Sequence, residues 1–161
     1  MTRQTIDPKR SATMRAVKSE DTAPEMMVRR YVHSLGYRFR LHRKDLPGKP
    51  DLIFPRLNSA IFVHGCFWHG HDCPRGARLP KENAEYWHRK IGRNAERDKK
   101  TLRLLRSLGW NVLVIWECEL RKDEGTSERK IKRFLAGASR SDVAPLGVSN
   151  PAVKAKQLGS V

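Results

Sequence analysis

Apolar residues first recur at helical spacing, at Met27, Val28, Tyr31, Val32 and Leu35. Thr22-Ala23-Pro24-Glu25 precedes them, so Thr22 is the expected cap and Glu25 completes a capping box, with Gly36 suited to the far end. The period then drops to two. Tyr37, Phe39 and Leu41 alternate with Arg38, Arg40 and His42, which predicts a half-buried strand. Leu46-Pro47-Gly48-Lys49-Pro50 is a turn. Asp51-Leu52-Ile53-Phe54 and Ala60-Ile61-Phe62-Val63 predict two short buried strands in a hairpin, joined by the polar link Pro55 to Ser59. His64 to Arg78 reads as irregular. A long helix is predicted from about Asn83 to Leu108, ended by Gly109. Val112 to Trp116 is the most convincing strand, with Trp116 read as core, and a last helix is predicted over Ser127 to Leu135. There are no internal repeats. The order predicts an α/β fold with a central sheet of mixed direction flanked by helices. Residues 1–20 read as a basic arm with a short helix around Ser11 to Val17, residues 21–136 as one domain, and residues 137–161 as a flexible tail without an aromatic residue.

Charge narrows the function. Lysine and arginine number 33 against 17 acidic residues, a formal net charge of +16 in 161 residues. So basic a chain calls for a polyanionic partner, because neutralised phosphates release counterions. No apolar run approaches the roughly 20 residues of a membrane span, so nucleic acid is favoured over a membrane. The polar N-terminus has no signal-peptide core, and the chain reads as cytoplasmic. Three cysteines do not close a disulfide framework; in a reducing compartment, clustered Cys and His point to metal or catalysis.

The Cys/His cluster is dense. Cys66, His69, His71 and Cys73 fall within eight residues, and Cys118 lies just past the last strand. Three thiolates and one imidazole, from either His69 or His71, would make a closed tetrahedral zinc site of the structural kind. A second metal is expected at Asp51, which opens a buried strand where an uncompensated charge is costly. A divalent ion held by carboxylates provides what phosphodiester hydrolysis needs. Glu25 is a further candidate, although its capping role also accounts for it. His64 and His69 suit proton exchange at neutral pH. Asp98 could orient a histidine or simply be a solvated helix residue. Phe67 and Trp68, adjacent in a tight loop, suggest rings that enter a base stack; Trp87 either joins them or packs. Between Ala84 and Ser107 stand eight basic and three acidic residues, a plausible phosphate-facing surface.

These residues closely resemble the very-short-patch-repair (Vsr) endonucleases. The resemblance rests on Met14-Arg15-Ala16-Val17, Leu46-Pro47-Gly48-Lys49-Pro50-Asp51, Phe62-Val63-His64-Gly65-Cys66-Phe67-Trp68-His69, Lys90-Ile91-Gly92-Arg93-Asn94 with Glu96-Arg97-Asp98, and Leu108-Gly109-Trp110 leading to Trp116-Glu117-Cys118. It covers about residues 8–136. It implies a restriction-endonuclease-like core with a structural zinc hairpin, and Mg²⁺-dependent nicking of one DNA strand 5′ to the thymine of a T:G mismatch, the product of 5-methylcytosine deamination. It further implies Mg²⁺ on Asp51, assisted by His64, His69 and Glu25, with Asp98 pairing His69. Zn²⁺ would sit on Cys66, His71, Cys73 and Cys118. Phe67 and Trp68 would intercalate, Trp87 would support them, and Met14 would enter from the opposite groove. Arg15, Lys90 and Arg93 are expected at DNA. The implied setting is a bacterial cytoplasm at the nucleoid, acting as a monomer, with mismatch-repair proteins as further candidate partners.

The chain departs from the family pattern twice. Gly70 and Asp72 interrupt a histidine run that is often longer, which leaves His69 for catalysis and His71 for zinc. The strand Ile61-Phe62-Val63-His64 lacks the acidic residue and lysine usual in restriction-type nucleases, so the Val63 backbone carbonyl would be the second magnesium contact and His64 would stand in the lysine's place. A non-enzymatic zinc-stabilised DNA-binding module is the alternative, but it leaves Asp51 and His64 without a role. A zinc deaminase would need His-x-Glu and Pro-Cys-x-x-Cys, both missing. A ββα histidine-metal nuclease would not require Asp51.

Overall fold

The computed structural model describes residues 20–140. Its elements are α1 (Ala23–Ser34), β1 (Arg40–Leu41), β2 (Leu52–Phe54), β3 (Ser59–His64), α2 (Ala84–Ser107), β4 (Asn111–Trp116), α3 (Glu117–Lys122) and α4 (Glu124–Arg140), with a short 3-10 turn at Pro55–Leu57. The strands form one sheet in the order β1-β2-β3-β4. β1 with β2 and β2 with β3 run antiparallel; β3 with β4 runs parallel, so the sheet is mixed as expected. A parallel pair needs a long crossover, which the Cys/His-rich loop after β3 and α2 provide.

The two-residue period sorts the strand side chains onto two faces. Leu52, Phe54, Ile61 and Ile115 pack against Val28 and Val32 of α1 and Leu120, Ile131 and Leu135 of α3 and α4. Ile53 and Phe62 pack on the other face with Leu46 and with Leu105 of α2, joined by Val112, Val114 and Trp110. Helices therefore cover both faces. Alternation carries His64 and Trp116, register partners at the end of β3 and β4, onto the face that α2 covers.

Four local expectations need correction. The strand over Tyr37–Leu41 contracts to Arg40–Leu41, because Phe54 leads into Pro55, which has no N–H for a longer ladder. Tyr37 and Phe39 nevertheless face inward, 6.4 Å and 6.2 Å from the Phe54 ring. The capping box at α1 is shifted: Thr22 accepts from the Glu25 N–H, but Glu25 reaches back to the N–H of Asp21. Helix α3 was unforeseen; its start is tied where the Trp116 N–H donates to Glu119 Oε2 at 3.0 Å. The last helix runs from Glu124 to Arg140, longer at both ends than the expected Ser127 to Leu135. Ser11 to Val17 and residues 141–161 lie outside the described residues.

Candidate active site and metal centre

β2 and β3 bring Asp51 to the start of the hairpin, where its N–H donates to the Ile61 carbonyl at 3.1 Å. The Val63 N–H donates to Asp51 Oδ2 at 2.7 Å, so the carboxylate lies beside the Val63 peptide. Burial pushes this carboxyl up from 3.8 to about 6; the Val63 N–H opposes the rise, nearby Glu25 adds to it, and His42 and Arg29 pull against it. A cation would relieve that burial cost, and so the residues fit a bound divalent ion.

Glu25 is buried on α1 and fully engaged. It accepts from the Asp21 N–H, the Thr22 hydroxyl and Arg29 Nη2, each at 3.0 Å. The buried Arg29 also donates to Asp21 Oδ1 and to His42 Nε2. Sequence reading missed this guanidinium, because nothing in the spacing of Arg29 and His42 shows that they meet.

His64, at the end of β3, is buried, and His69 stacks on it with ring centroids 3.8 Å apart and planes 2° from parallel. Burial pushes the His64 imidazole down to about 4; His69 reinforces this and Asp98 opposes it. His64 is therefore neutral in neutral solution. Asp98, from α2, takes His69 Nδ1 at 2.5 Å. The carboxylate accepts, so Nδ1 carries the proton and Nε2 is left for another partner. The solvated alternative for Asp98 is thereby displaced. Ligand atoms of His64, His69 and Asp98 lie within 4.8 Å of one another; Asp51 joins none of the three such groups among the described residues.

Cys66, His71, Cys73 and Cys118 form another of these groups, again within 4.8 Å. All three cysteines are free thiols. The donor set suits zinc: soft sulfur with one imidazole, close enough for a tetrahedron. His71 turns Nδ1 to the cluster, 3.6 Å from Cys118 Sγ, and Nε2 toward Asp72. Backbone N–H groups of Cys118 and Gly76 donate to Cys66 and Cys73 sulfur, each at 3.3 Å, as supports of metal-bound thiolates do. Burial pushes the Cys66 thiol up to about 12, whereas His71 draws Cys73 down to about 6. The loop closes tightly at Gly76, where a Cβ would stand 2.1 Å from the His71 carbonyl oxygen. Cys118 sits just past β4 as expected, on the first turn of α3.

Phe67 and Trp68 are both half-buried and lean on the buried Trp87, at 5.5 Å and 6.2 Å. Lys90 Nζ lies 5.4–5.8 Å from the rings of Trp68, Tyr86 and Trp87. Asn94 donates to the Trp68 carbonyl at 3.1 Å. Tyr86 and Asn94 escaped sequence reading as supports of this cluster. Arg93 and most of the other basic residues of α2 are exposed. Trp116 departs from expectation: it is half-buried and its ring meets imidazoles instead of core aliphatics. Met14 and Arg15 lie outside the described residues, and no helix among those described is long and apolar enough to cross a membrane.

The fold has a neighbour in the catalytic domain of the homing endonuclease I-Bth0305I, with a TM-score of 0.52 and 20% identity, covering 73% of this chain and 98% of that one. At that identity the likeness speaks for the restriction-endonuclease-like fold alone. The sequence goes further. The chain is 48% identical to the type II nicking enzyme V.XorIIP of Xanthomonas oryzae pv. oryzae, over 84% of its own length and 98% of the relative's. It is 39% identical to the DNA mismatch endonuclease Vsr of Escherichia coli, over 82% and 86%. Fold, site and relatives together define a DNA endonuclease. More narrowly, the chain belongs to the DNA mismatch endonuclease Vsr family, whose sequence profile matches residues 4–75.

Proposed function

We propose that this endonuclease nicks one strand of duplex DNA 5′ to the thymine of a T:G mismatch, in a Mg²⁺-dependent hydrolysis that starts repair of deaminated 5-methylcytosine. The observation that carries the reading is the stacked His64–His69 pair with Asp98 behind it, where His64 ends the β3 strand whose Val63 N–H binds Asp51. Asp51 and the Val63 carbonyl would hold the magnesium, which would supply an acidified water and offset charge on the phosphodiester. Glu25, fixed by Arg29, sets the field around Asp51. His64, neutral because it is buried, accepts or relays a proton at the scissile phosphate. His69, oriented through Nδ1 by Asp98, offers Nε2 for the same purpose. Phe67 and Trp68 part the bases, with Trp87 as their floor and Met14 entering from the other groove. Lys90, Arg93 and Arg15 contact DNA. Zinc on Cys66, His71, Cys73 and Cys118 pins the loop that carries both His69 and the aromatic pair.

A labelled T:G duplex, compared with its T:A and C:G counterparts, tests the reading. Wild type with Mg²⁺ should nick only the thymine strand of the mismatch, and Asp51→Ala should lose nicking by at least about 10²-fold. Equal activity of the two proteins, or none from either, overturns it. Verified zinc removal should loosen the loop and abolish duplex binding; unchanged binding and melting would rule out the structural zinc.

A further inference from the structure

Trp116 ends β4 opposite His64 in the parallel register, and three imidazoles surround its indole. The His71 ring lies 4.3 Å away, tilted 31° from the indole plane. His64 and His69 lie 5.2 Å and 6.4 Å away at 74° and 72°, nearly perpendicular. The residue belongs to neither buried core cluster. Its backbone is anchored independently: the N–H donates to Glu119, whose carboxylate is gripped by Lys130 at 2.9 Å and 3.1 Å. The same lysine donates to the Val114 carbonyl at 3.2 Å, tying α4 to β4 beside the indole. A large rigid ring on a fixed strand end therefore stands between the cysteine cluster and the imidazole pair.

We propose that Trp116 is a positioning residue for strand cleavage: its indole is the common wall that seats His71 of the metal centre and the His64–His69 pair, and through it the metal centre sets the pair's orientation. The inference rests on the zinc and catalytic assignments proposed above. Close packing makes such a wall effective, since rings in contact cannot shift separately without opening a void. Asp98 fixes His69 at one ring nitrogen only. The tilt of the stacked pair then depends on what its other edges touch, and the indole lies along one of them.

Trp116→Leu removes the wall and keeps an apolar side chain; Trp116→Phe keeps a flat ring of shorter reach. In zinc-loaded enzyme with Mg²⁺, Trp116→Leu should retain its zinc and its affinity for T:G duplex while the single-turnover nicking rate falls about 10²-fold, the scale of a 1 Å misplacement. Trp116→Phe should recover part of that loss. Imidazole nitrogen–proton NMR gives a readout apart from activity. Replacing zinc with the larger cadmium ion should shift the His64 and His69 ring signals in wild type, and should leave them in place in Trp116→Leu. A wild-type rate in Trp116→Leu, a loss that tracks zinc content, or an equal cadmium shift in both proteins overturns the inference. If Trp116→Leu does not fold, the same readouts on Trp116→Phe decide. Asp51→Ala and His69→Ala run alongside. Should they nick like wild type, the underlying reading falls; should they fail while Trp116→Leu succeeds, only the role of Trp116 falls.

Discussion

Replacing Asp51 by asparagine should stabilise the magnesium-free protein while abolishing nicking. The fold holds the Asp51 proton more tightly than the unfolded chain does, with the carboxyl near 6 instead of 3.8 because it is buried. Between those values the native state binds more protons than the unfolded state, so stability falls as pH rises through the window. Above it the full cost of the buried charge is present, about 3 kcal/mol for a rise of roughly two pH units. Asparagine keeps the shape and can still accept from the Val63 N–H, but carries no charge. The variant should therefore exceed wild type by about 1.5 kcal/mol at pH 5 and about 3 kcal/mol at pH 7.5. Urea denaturation in zinc-containing, magnesium-free buffer without chelators measures the difference. His64 titrates over an overlapping range in the opposite sense, yet it is present in both proteins and cancels. Added Mg²⁺ should raise wild type, by ligand linkage, and leave the variant unchanged. A variant no more stable at pH 7.5 than wild type, or a difference that does not grow with pH, refutes the argument that Asp51 is an opposed charge.

The His64 imidazole, pushed down to about 4 by burial, should stay neutral through pH 5 in an NMR titration, and its contribution to stability, about 3 kcal/mol, should be lost as pH falls from 6.5 toward 4; a ring titrating near 6.5 contradicts this. Asp98→Asn should leave His69 poorly oriented and slow nicking by about 10–100-fold with duplex affinity retained, which single-turnover rates and gel shifts can separate. Gly76→Ala should cost about 1–3 kcal/mol, since its Cβ meets backbone that cannot yield. Gly92→Ala, with nothing within 4 Å of its Cβ in the middle of α2, should instead gain about 1 kcal/mol. Melting curves of the two glycine variants that move in the same direction would argue against the close approach at Gly76.

Much of the layout was legible along the chain, because period, caps and turn residues act locally. The apolar spacing from Met27 to Leu35 placed α1, Gly109 marked the end of α2, and Val112 to Trp116 gave β4 nearly to the residue. The density of Cys and His between residues 66 and 73 pointed to metal-ligand candidates, and the fold groups three of them, Cys66, His71 and Cys73, with Cys118. Helix α3 was hidden because six residues are too few to show a period, and its start depends on Glu119 folding back to Trp116.

Sequence alone thus determined most of the helices and strands, the apolar face of the longer ones, and which residue types carry chemistry, since these follow from neighbours within a turn or two. Tertiary structure decided pairings across long separations: Asp98 with His69 over 29 positions, Cys118 with Cys66 over 52, and Arg29 with His42 over 13. The same packing decided that Trp116 faces imidazoles instead of the core, and that burial raises Asp51 while it lowers His64. Contact and desolvation depend on what the whole fold brings alongside a residue, and no local pattern in the chain encodes that.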